Sequence, residues 1–411
     1  MGGLSGHDPV WEMARAKADP MRVYEDDSVL FATDFEGGNG TSLQRLSRDH
    51  YSLHLEPEPG EHPFSGVAYY VCFGIQNRQL APRTVRIRLV GHIWEIWKRR
   101  DWAEQTQHLV VRRGGHWSQL DPAALHPVEG AIDTLDVELL LPEAEDPAPT
   151  LFVSNFHWWP YSEMRQYLQT LDSRVARIQE IGSSFQGRPL YAAEIGSEAT
   201  DAPCLVHAQT PQPSEMGSLA CRAMMDYLCS DDLEAAAIRE RFRVCFIPMT
   251  NPDGTVLGYG VSDAQGRFPF FEGHLAASDT AEATPETAVV WRYLRAQRPW
   301  LFWEWHSNNW ARRPGHMLLR YRPELLADSS RRAAWEALEE QLLGLPHTHN
   351  SGWTSHAEGG YQNSLGFQAV TRLGAISCMI KHHDKYPLAV SRDHAIACLK
   401  AAAAAAAAYP S

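Results

Sequence analysis

A short loop holds the first residues that could do metal chemistry. Gln212-Pro-Ser-Glu215 follows an apolar run, residues 202–206, and precedes a helix-like run, residues 219–228. A strand end, a loop with prolines and a helix start together form a common setting for a catalytic site. With His in place of Gln212, the tetrapeptide would be the first half of a zinc site, because zinc takes imidazole and carboxylate ligands. The loop therefore predicts either a metal site that lacks one ligand or a plain connection.

Two further loops carry side chains that could join this one. One follows the apolar run 301–305 and begins with His306, and the other follows the run 375–380 and begins with Lys381. In an α/β sheet, function concentrates where loops leave the carboxyl ends of strands. We therefore expect these loops to line one cleft.

The elements that must position these residues fall into two patterns. Up to about residue 155, short alternating runs are separated by turn residues, which is typical of an antiparallel β-sandwich. These runs are residues 51–55, 67–73, 84–89, 135–140 and 151–154.

From about residue 161, helix-like segments alternate with compact apolar runs, which is typical of an α/β sheet flanked by helices. We therefore predict two domains, residues 1–157 and 158–411. The predicted helices are residues 162–175, 217–229, 284–297 and 330–343, with a C-terminal helix through the alanine run 401–408. The predicted strands are residues 190–195, 203–208, 243–249, 300–305 and 374–380.

Composition narrows the possible partners and compartment. The 411 residues carry a net charge of −13 without a run rich in Lys or Arg, which argues against nucleic acid or an anionic membrane. The seven cysteines include no CxxC pair, so they indicate buried thiols in a reducing compartment. Because no apolar stretch reaches membrane length and no signal-like segment begins the chain, we expect a cytoplasmic protein.

Six motifs, in this order, resemble the zinc carboxypeptidase family, and specifically its cytosolic carboxypeptidase branch. Each is weak alone, since Asn-Pro-Asp-Gly is also a good turn sequence, but together they span nearly the whole chain. The resemblance implies a carboxypeptidase-like mixed α/β sheet flanked by helices after an N-terminal antiparallel β-sandwich. The motifs are Asp34-Phe-Glu-Gly-Gly-Asn39, Trp158-Trp-Pro-Tyr-Ser162, Pro248-Met-Thr-Asn-Pro-Asp-Gly254, Gly258, Pro285-Glu286 and Glu304-Trp-His-Ser307.

The resemblance also implies metal-assisted hydrolysis of an amide bond. In that family a His-x-x-Glu pair and a later His hold zinc, which leaves one position for water. A glutamate at the end of the last strand moves protons. An arginine, usually in an Asn-Arg pair, binds the terminal carboxylate of the peptide.

This sequence departs from the family pattern at three positions. Gln212 stands where the first zinc histidine is implied, and Lys381 stands where the catalytic glutamate is implied. The Asn-Arg pair is missing, and Arg267 is the only arginine near its implied place. Glu215 and His306 remain as implied zinc ligands. On this resemblance we expect Lys381, Glu215 and His306 to be the catalytic groups. The expected substrate contacts are Gln212, Arg267, Asn308, Tyr361 and His382.

Lys381 argues against a metal ion in this cleft. At about 5 Å and an effective dielectric near 20, two unit charges interact by roughly 3 kcal/mol, and a divalent ion doubles the repulsion. Burying the Glu215 carboxylate alone would be costly. We therefore predict that Lys381 replaces zinc and pairs with Glu215, so that no cofactor is needed; zinc on Glu215 and His306 is the alternative. Metal bound there with Lys381 turned away would refute this.

Purely structural roles stay open for the same residues. Glu215 could be a first-turn helix residue favoured by the helix dipole, and His306 could be a packed core histidine. Tyr361 lies in a segment that resembles one over the family's cleft, and Phe270 and Phe271 would make that cleft apolar. Other histidines could rebuild a metal site. These are His316, His347, His349, His356, His382 and His383.

Three functions are compatible with these patterns. The first is a peptide-binding pseudopeptidase that keeps the cleft without the zinc. The second is a repurposed enzyme that uses Lys381 on a peptide or an amino-acid-derived small molecule. The third is a zinc-dependent carboxypeptidase with substitute ligands. The sequence leaves the substrate and the oligomeric state open.

Overall fold

The computed structural model describes ten segments of the chain. They are residues 23–91, 109–131, 133–144, 150–199, 201–213, 216–278, 282–308, 315–353, 361–384 and 386–409, without the side chains of residues 308 and 349–353. They form two compact units. The first contains the described residues up to Glu163 and Gly254–Arg267, and the second contains the others.

Two sheets make up the first unit. One has the order β1-β2-β5-β11-β7-β8 with antiparallel pairs throughout, and the other has the order β3-β4-β6-β10-β9. The strands are β1 (Val23–Glu25), β2 (Val29–Ala32), β3 (Ser42–Ser47), β4 (His50–His54), β5 (Cys72–Asn77), β6 (Arg83–Val90), β7 (Val110–Arg113), β8 (His116–Gln119), β9 (Leu125–Pro127), β10 (Thr134–Leu141) and β11 (Leu151–Ser154).

The alternating sequence pattern produces the core of this unit. In β6, Val85, Ile87 and Leu89 are buried while the residues between them are more exposed. Because side chains alternate across a strand, this pattern gives each sheet one apolar face. A single core cluster contains residues from both sheets. One pair departs from the expected antiparallel order, since β4 runs parallel to β6.

The predicted strand at residues 67–73 was misplaced by several residues. The observed strand is Cys72–Asn77, and the preceding segment is held by a side chain. Asn155 accepts a hydrogen bond from the Val71 N–H at 3.0 Å and donates one to the Tyr69 carbonyl at 3.0 Å. The Asn155 amide thus takes the place of a neighbouring strand, which an alternation pattern cannot indicate.

Three buried polar side chains of the first unit have structural roles, because they form hydrogen bonds to loops. The Glu36 carboxylate accepts hydrogen bonds from the Ser162 N–H at 3.0 Å and the Ser162 hydroxyl at 2.6 Å. The Asn39 amide donates to the Gly258 carbonyl at 3.1 Å. The buried Glu58 carboxylate accepts from the Gly260 N–H at 2.6 Å. Glu36, Asn39 and Glu58 therefore join segments that are far apart in the chain.

An eight-stranded mixed sheet forms the centre of the second unit, in the order β12-β13-β15-β14-β16-β19-β17-β18. The strands are β12 (Ala176–Ser183), β13 (Pro189–Gly196), β14 (Cys204–Gln209), β15 (Arg243–Ile247), β16 (Leu301–Asn308), β17 (His316–Arg320), β18 (Thr348–Trp353) and β19 (Ile376–His383). The described α-helices are α1 (Tyr161–Thr170), α2 (Gly217–Leu228), α3 (Leu233–Arg241), α4 (Pro252–Leu257), α5 (Gly273–Ala277), α6 (Pro285–Gln297), α7 (Ser329–Leu343), α8 (Leu365–Gln368) and α9 (Leu388–Ala408).

Capping residues, prolines and helix propensity determine where two of the helices begin and how far they extend. Helix α6 begins after Thr284, whose hydroxyl accepts from the Thr287 N–H, and Pro285 occupies the first helical position. Helix α9 begins after Pro387 and continues through the alanine run, as predicted, because alanine has the highest helix propensity. Within the described residues, no helix combines the length and the apolarity that a membrane span requires.

The central strands are longer than predicted, and this changes where the site residues point. Strand β16 continues through Asn308 and β19 through His383, since the two strands pair in parallel through their last residues. His306, Lys381 and His382 therefore lie in strands rather than in loops. Successive side chains point to opposite faces of a sheet, so Lys381 and His382 cannot share one face.

We name the two faces by these residues. The lysine face carries Glu304, His306 and Lys381, and its core includes Phe302 packed with residues of α5 and α6. The histidine face carries His207, Trp305 and His382, whose rings lie close together. Helices α2 and α9 pack against each other, and α2 packs on β14 and β16.

Candidate functional site

His306 and Lys381 are direct neighbours across two parallel strands. His306 of β16 is in register with Lys381 of β19, and their relative exposures are only 2% and 6%. Parallel strands lie about 4.8 Å apart, so the two side chains leave the sheet side by side. The structure thus brings together two of the three residues predicted to be catalytic.

The electrostatics of this pair keep the imidazole neutral. Burial holds the pKa of His306 well below its ordinary value, and the positive charge of Lys381 lowers it further. Both effects disfavour a second cation at this point. The lysine face therefore presents one ammonium group beside one neutral imidazole.

Aromatic rings lie next to the pair. The Phe270 ring lies 6.4 Å from the His306 ring and 5.8 Å from the Tyr361 ring, measured between centroids. The Phe271 ring lies 6.3 Å from that of Tyr361. Phe270 is buried, while Phe271 and Tyr361 are half-buried. The predicted neighbours Tyr361, Phe270 and His306 therefore come together on one apolar surface.

Glu304 is a buried acid on the same face that sequence reasoning did not single out. Its carboxylate accepts the Gly366 N–H at 3.0 Å, and burial raises its pKa to about 7. The Tyr321 hydroxyl nearby is hydrogen-bonded to the Ser364 hydroxyl at 2.7 Å. The signal was available, because Glu304 lies two residues before His306 in a strand and must share its face.

The loop with Gln212 is anchored from the neighbouring strand end. The Thr250 hydroxyl donates to the Gln209 carbonyl and the Asn251 amide donates to the Pro211 carbonyl, both at 3.1 Å. Gln212 is 5% exposed, and its side-chain oxygen has no hydrogen-bond partner within the described part of the chain. Glu215 lies outside the described residues, so its predicted pairing with Lys381 stays a prediction.

The residues implied as zinc ligands fit a zinc ion poorly. Gln212 offers a neutral amide oxygen where zinc prefers imidazole. Lys381 already places a positive charge next to His306, the implied histidine ligand, and lowers its pKa. A divalent ion would add repulsion at the same place. Gln212, His306 and Lys381 therefore do not suit a zinc ion at this site.

Asp253 of the Asn-Pro-Asp-Gly motif has a structural role in the second unit. It is fully buried and accepts hydrogen bonds from the Ser184 hydroxyl at 2.7 Å, the Gln186 N–H at 2.8 Å and the Arg188 guanidinium at 2.7 Å. These contacts fix the turn of the β12–β13 hairpin. The motif thus forms the start of α4 and holds a hairpin in place.

His207 is a core residue, as its strand position indicated. It is fully buried, and its Nδ1 accepts a hydrogen bond from the Trp305 indole N–H at 3.3 Å. Burial lowers its pKa to about 3. His207 therefore stays neutral and packs on the histidine face.

Of the predicted substrate contacts, His382 is not on the face of the sheet that carries the His306–Lys381 pair. His382 points to the histidine face, where its ring lies 5.2 Å from that of Trp305. Arg267 belongs to the first unit, where its N–H donates to the Asp263 carboxylate at 2.8 Å. The side chain of Asn308 lies outside the described part of the chain. Extension of β19 explains the placement of His382.

Comparisons with known proteins agree with this fold. A model of the zinc carboxypeptidase family matches residues 161–268. Cytosolic carboxypeptidase 2 from Homo sapiens is 23% identical over 258 residues, which cover 57% of this chain and 28% of that protein. The counterpart from Macaca fascicularis is also 23% identical, with 30% of its length covered. This chain therefore spans less than a third of the length of these relatives.

Solved structures show the same fold at lower identity. A metallo-carboxypeptidase from Burkholderia cenocepacia superimposes with a TM-score of 0.74 at 14% identity, covering 93% of this chain and 100% of that one. A metallo-carboxypeptidase from Pseudomonas aeruginosa, in complex with (2-guanidinoethylmercapto)succinic acid, gives 0.72 at 15% identity, with 91% and 98% covered. Together with the family match, these likenesses confirm the predicted resemblance of this chain to the zinc carboxypeptidases.

Proposed function

We propose that this chain is a zinc-carboxypeptidase-like protein whose lysine face binds a peptide or amino-acid-derived ligand without a metal ion in the family's position. The observation that carries the proposal is the buried, in-register pair of His306 and Lys381. The resemblance implies a catalytic glutamate where Lys381 stands. An ammonium group there favours a carboxylate of the ligand instead of a metal-bound water.

The surroundings of the pair suit such a ligand. Phe270 and Tyr361 supply an apolar surface beside the charge, which is the usual composition of a small-molecule site. The neutral imidazole of His306 adds a hydrogen-bonding group without adding a charge. One cation, one neutral polar group and aromatic rings would bind a carboxylate attached to an apolar side chain.

A second candidate is a repurposed enzyme, which the adjacency of a lysine and a neutral imidazole favours. A shielded lysine can act as a base or nucleophile, and the neutral imidazole of His306 would be a hydrogen-bonding group beside it. Zinc-dependent peptide hydrolysis through substitute ligands is the alternative that the experiment below also tests.

Binding to the lysine face can be tested with (2-guanidinoethylmercapto)succinic acid and with short peptides that have free or amidated C-termini, by calorimetry on the untagged protein. We expect Lys381→Met to weaken binding by tenfold or more, because a charge-assisted hydrogen bond contributes about 1.5–3 kcal/mol. Lys400→Met is the matched control, since Lys400 of α9 forms a partly exposed ion pair with Glu234 of α3. Amidation should weaken binding to the wild type and have little effect on Lys381→Met.

Three outcomes would decide between the candidates. Equal affinity of the wild type and Lys381→Met would overturn the proposal. Turnover of a peptide that disappears in Lys381→Met, with folding intact, would favour the repurposed enzyme. Peptide hydrolysis that requires added zinc and is lost in His306→Ala would establish the zinc-dependent alternative.

We also infer that the two sheets of the first unit stack as a β-sandwich and that the domain boundary lies near residue 157. The shared core cluster supports the first inference, since facing sheets bury one common apolar layer. Expression of residues 1–157 and 158–411 as separate chains tests the second: each is expected to unfold cooperatively on its own, and failure of either part to fold would contradict it.

A further inference from the structure

Three buried histidines converge on the histidine face of the sheet. His316 of β17, His382 of β19 and His394 of α9 are at most 6% exposed. One ring nitrogen of each lies within 4.8 Å of the others, and the ring centroids are 4.3–5.3 Å apart. Imidazole is a ligand for zinc, copper, iron and nickel. This cluster is separate from the His306–Lys381 pair, because adjacent residues of β19 point to opposite faces.

Two distances within the cluster match those around a tetrahedral metal ion. The His382 Nε2 and His394 Nδ1 atoms are 3.2 Å apart. With zinc–nitrogen bonds near 2.05 Å, two nitrogens on a tetrahedral zinc lie about 3.4 Å apart. The Cys398 Sγ lies 3.6 Å from the same His394 nitrogen, and the corresponding nitrogen–sulfur separation is about 3.6 Å.

The surrounding groups suit a metal site. The His394 Nε2 is 2.8 Å from the Thr348 hydroxyl oxygen. If Nε2–H donates a hydrogen bond to that oxygen, Nδ1 carries no proton and can bind a metal. Such an outer hydrogen bond orients most metal-binding histidines. His316 accepts the His383 N–H on Nδ1 at 3.1 Å, so metal binding through His316 requires its ring to give up this bond. Its Nε2 is buried without a partner in the part of the chain that the structure describes.

Simple packing accounts less well for this cluster. A small cavity borders it, lined by His316, Thr348, His394 and Cys398 together with apolar side chains. The His316 Nε2 lacks a partner within the described residues, and a buried polar atom without a partner is costly. A metal ion would use the three imidazoles and the thiol together, and it would join α9 to β17 and β19.

We propose that His316, His382 and His394 bind one zinc-class transition-metal ion. A small movement of Cys398, whose Sγ lies 3.6 Å from the His394 Nδ1, would bring it in as the fourth ligand. Four protein ligands close the coordination sphere, so the ion would stabilise the fold rather than act on a substrate. The inference does not rest on the proposed function, because it concerns the opposite face of the sheet.

The test is metal binding by the untagged full chain. After dialysis against a chelator, we expect added Zn²⁺ to raise the melting temperature. We also expect one bound Zn²⁺ per chain, measured by inductively coupled plasma mass spectrometry. Co²⁺ should give the intense visible bands of a tetrahedral site and a near-ultraviolet thiolate band. The thiolate band should disappear in Cys398→Ser and persist in Cys378→Ser, a buried thiol used as the control.

Variants locate the ion. His382→Ala and His394→Ala should each lower the metal content at least tenfold, and Thr348→Ala should weaken binding by about 10–100-fold. His347→Ala is the matched control, because it removes an exposed histidine whose ring lies 6.5 Å from that of His316. His306→Ala should leave the metal content unchanged.

Each remaining outcome has a clear meaning. Failure of the wild type to bind Zn²⁺ or Co²⁺ would overturn the proposal, whatever the variants do. Loss of the metal in His306→Ala but not in His394→Ala would place the ion on the lysine face and also overturn it. Visible cobalt bands without a thiolate band would remove Cys398 from the ligand set and support the three histidines.

Discussion

Lys381 and His382 are consecutive residues, yet they belong to opposite faces of one sheet with opposite electrostatics. The lysine face combines an ammonium group with a neutral imidazole and a buried acid whose pKa is raised. The histidine face collects imidazoles whose pKa values are lowered by burial. The comparison teaches that one strand can present two different environments, and that a run of polar residues in a sequence need not form one cluster.

The largest expected effect tests how closely a helix approaches the histidine face. A Cβ added at Gly217 of α2 would lie well inside van der Waals contact with the Trp305 carbonyl oxygen. We predict that Gly217→Ala costs about 3 kcal/mol or more, because backbone atoms cannot move aside cheaply. Urea denaturation gives the free energy of unfolding.

The matched variant lies on the lysine face. A Cβ at Gly366 would lie 2.6 Å from the Glu304 carboxylate and 2.9 Å from the Tyr321 hydroxyl, which are side-chain atoms that can shift. We expect Gly366→Ala to cost about 1–2 kcal/mol. A larger loss for Gly366→Ala than for Gly217→Ala would contradict this difference between the faces.

The second prediction concerns the buried acid of the lysine face. The pKa of Glu304 is about 7 in the folded chain, against an ordinary 4.5. The folded state therefore binds more protons between these values, so stability falls as pH rises from about 4.5 to above 7, by about 3 kcal/mol in total. Glu304→Gln should lack this part of the pH dependence in denaturation curves.

Glu336→Gln, at an exposed position of α7, is the control for that measurement. It should follow the wild-type pH profile. If Glu304→Gln follows it too, Glu304 is not the group responsible.

The third prediction is that a residue of the histidine face has the opposite pH dependence, with stability falling as the pH falls. Burial lowers the pKa of His207 to about 3 from an ordinary 6.5, so the unfolded state binds more protons below pH 6.5. Stability should therefore fall by about 2 kcal/mol through this residue between pH 6.5 and pH 5. His207→Asn should show a shallower loss over that range, whereas the exposed His347→Asn should keep the wild-type slope. Identical slopes for all three proteins would refute the assignment.

The smallest expected effect is a change in the pKa of His306 when Lys381 is replaced. The charge of Lys381 lowers the pKa of His306, so Lys381→Met should raise that pKa, although burial will still keep it below its ordinary value. Titration of the His306 ring by NMR measures the change, with Lys400→Met as the control. An unchanged pKa would mean that the Lys381 ammonium group does not act on His306.

Much of the architecture could be predicted from local patterns. The runs of helices and apolar strands gave most elements of the second unit to within a few residues, since the helical period and buried apolar strands depend on neighbours in sequence. The ends of β16 and β19 were missed, because Lys381 and His382 look like loop residues until the partner strand is known. The shift of the strand near residue 70 had a similar cause, since Asn155 lies far away in the chain.

The candidate site was predicted only in part. The sequence placed His306 and Lys381 in one cleft, and the structure puts them in register on neighbouring strands, with the Phe270 ring near those of His306 and Tyr361. The predicted pairing of Lys381 with Glu215 stays a prediction. His394 and Cys398 were seen only as part of a C-terminal helix, although their i, i+4 spacing puts both on one helix face. That spacing gained meaning once His316 and His382 were found opposite it.

By itself, the sequence determined most of the order of elements and the resemblance to zinc carboxypeptidases. It also showed Gln212 and Lys381 at the positions where that resemblance implies a histidine and a glutamate. Those features depend on residue type and spacing along the chain. Only the tertiary structure decided which polar residues meet, because strand pairing sets the register and the register sets the face. Lys381 therefore stands beside His306, whereas its neighbour His382 joins two histidines from elsewhere in the chain.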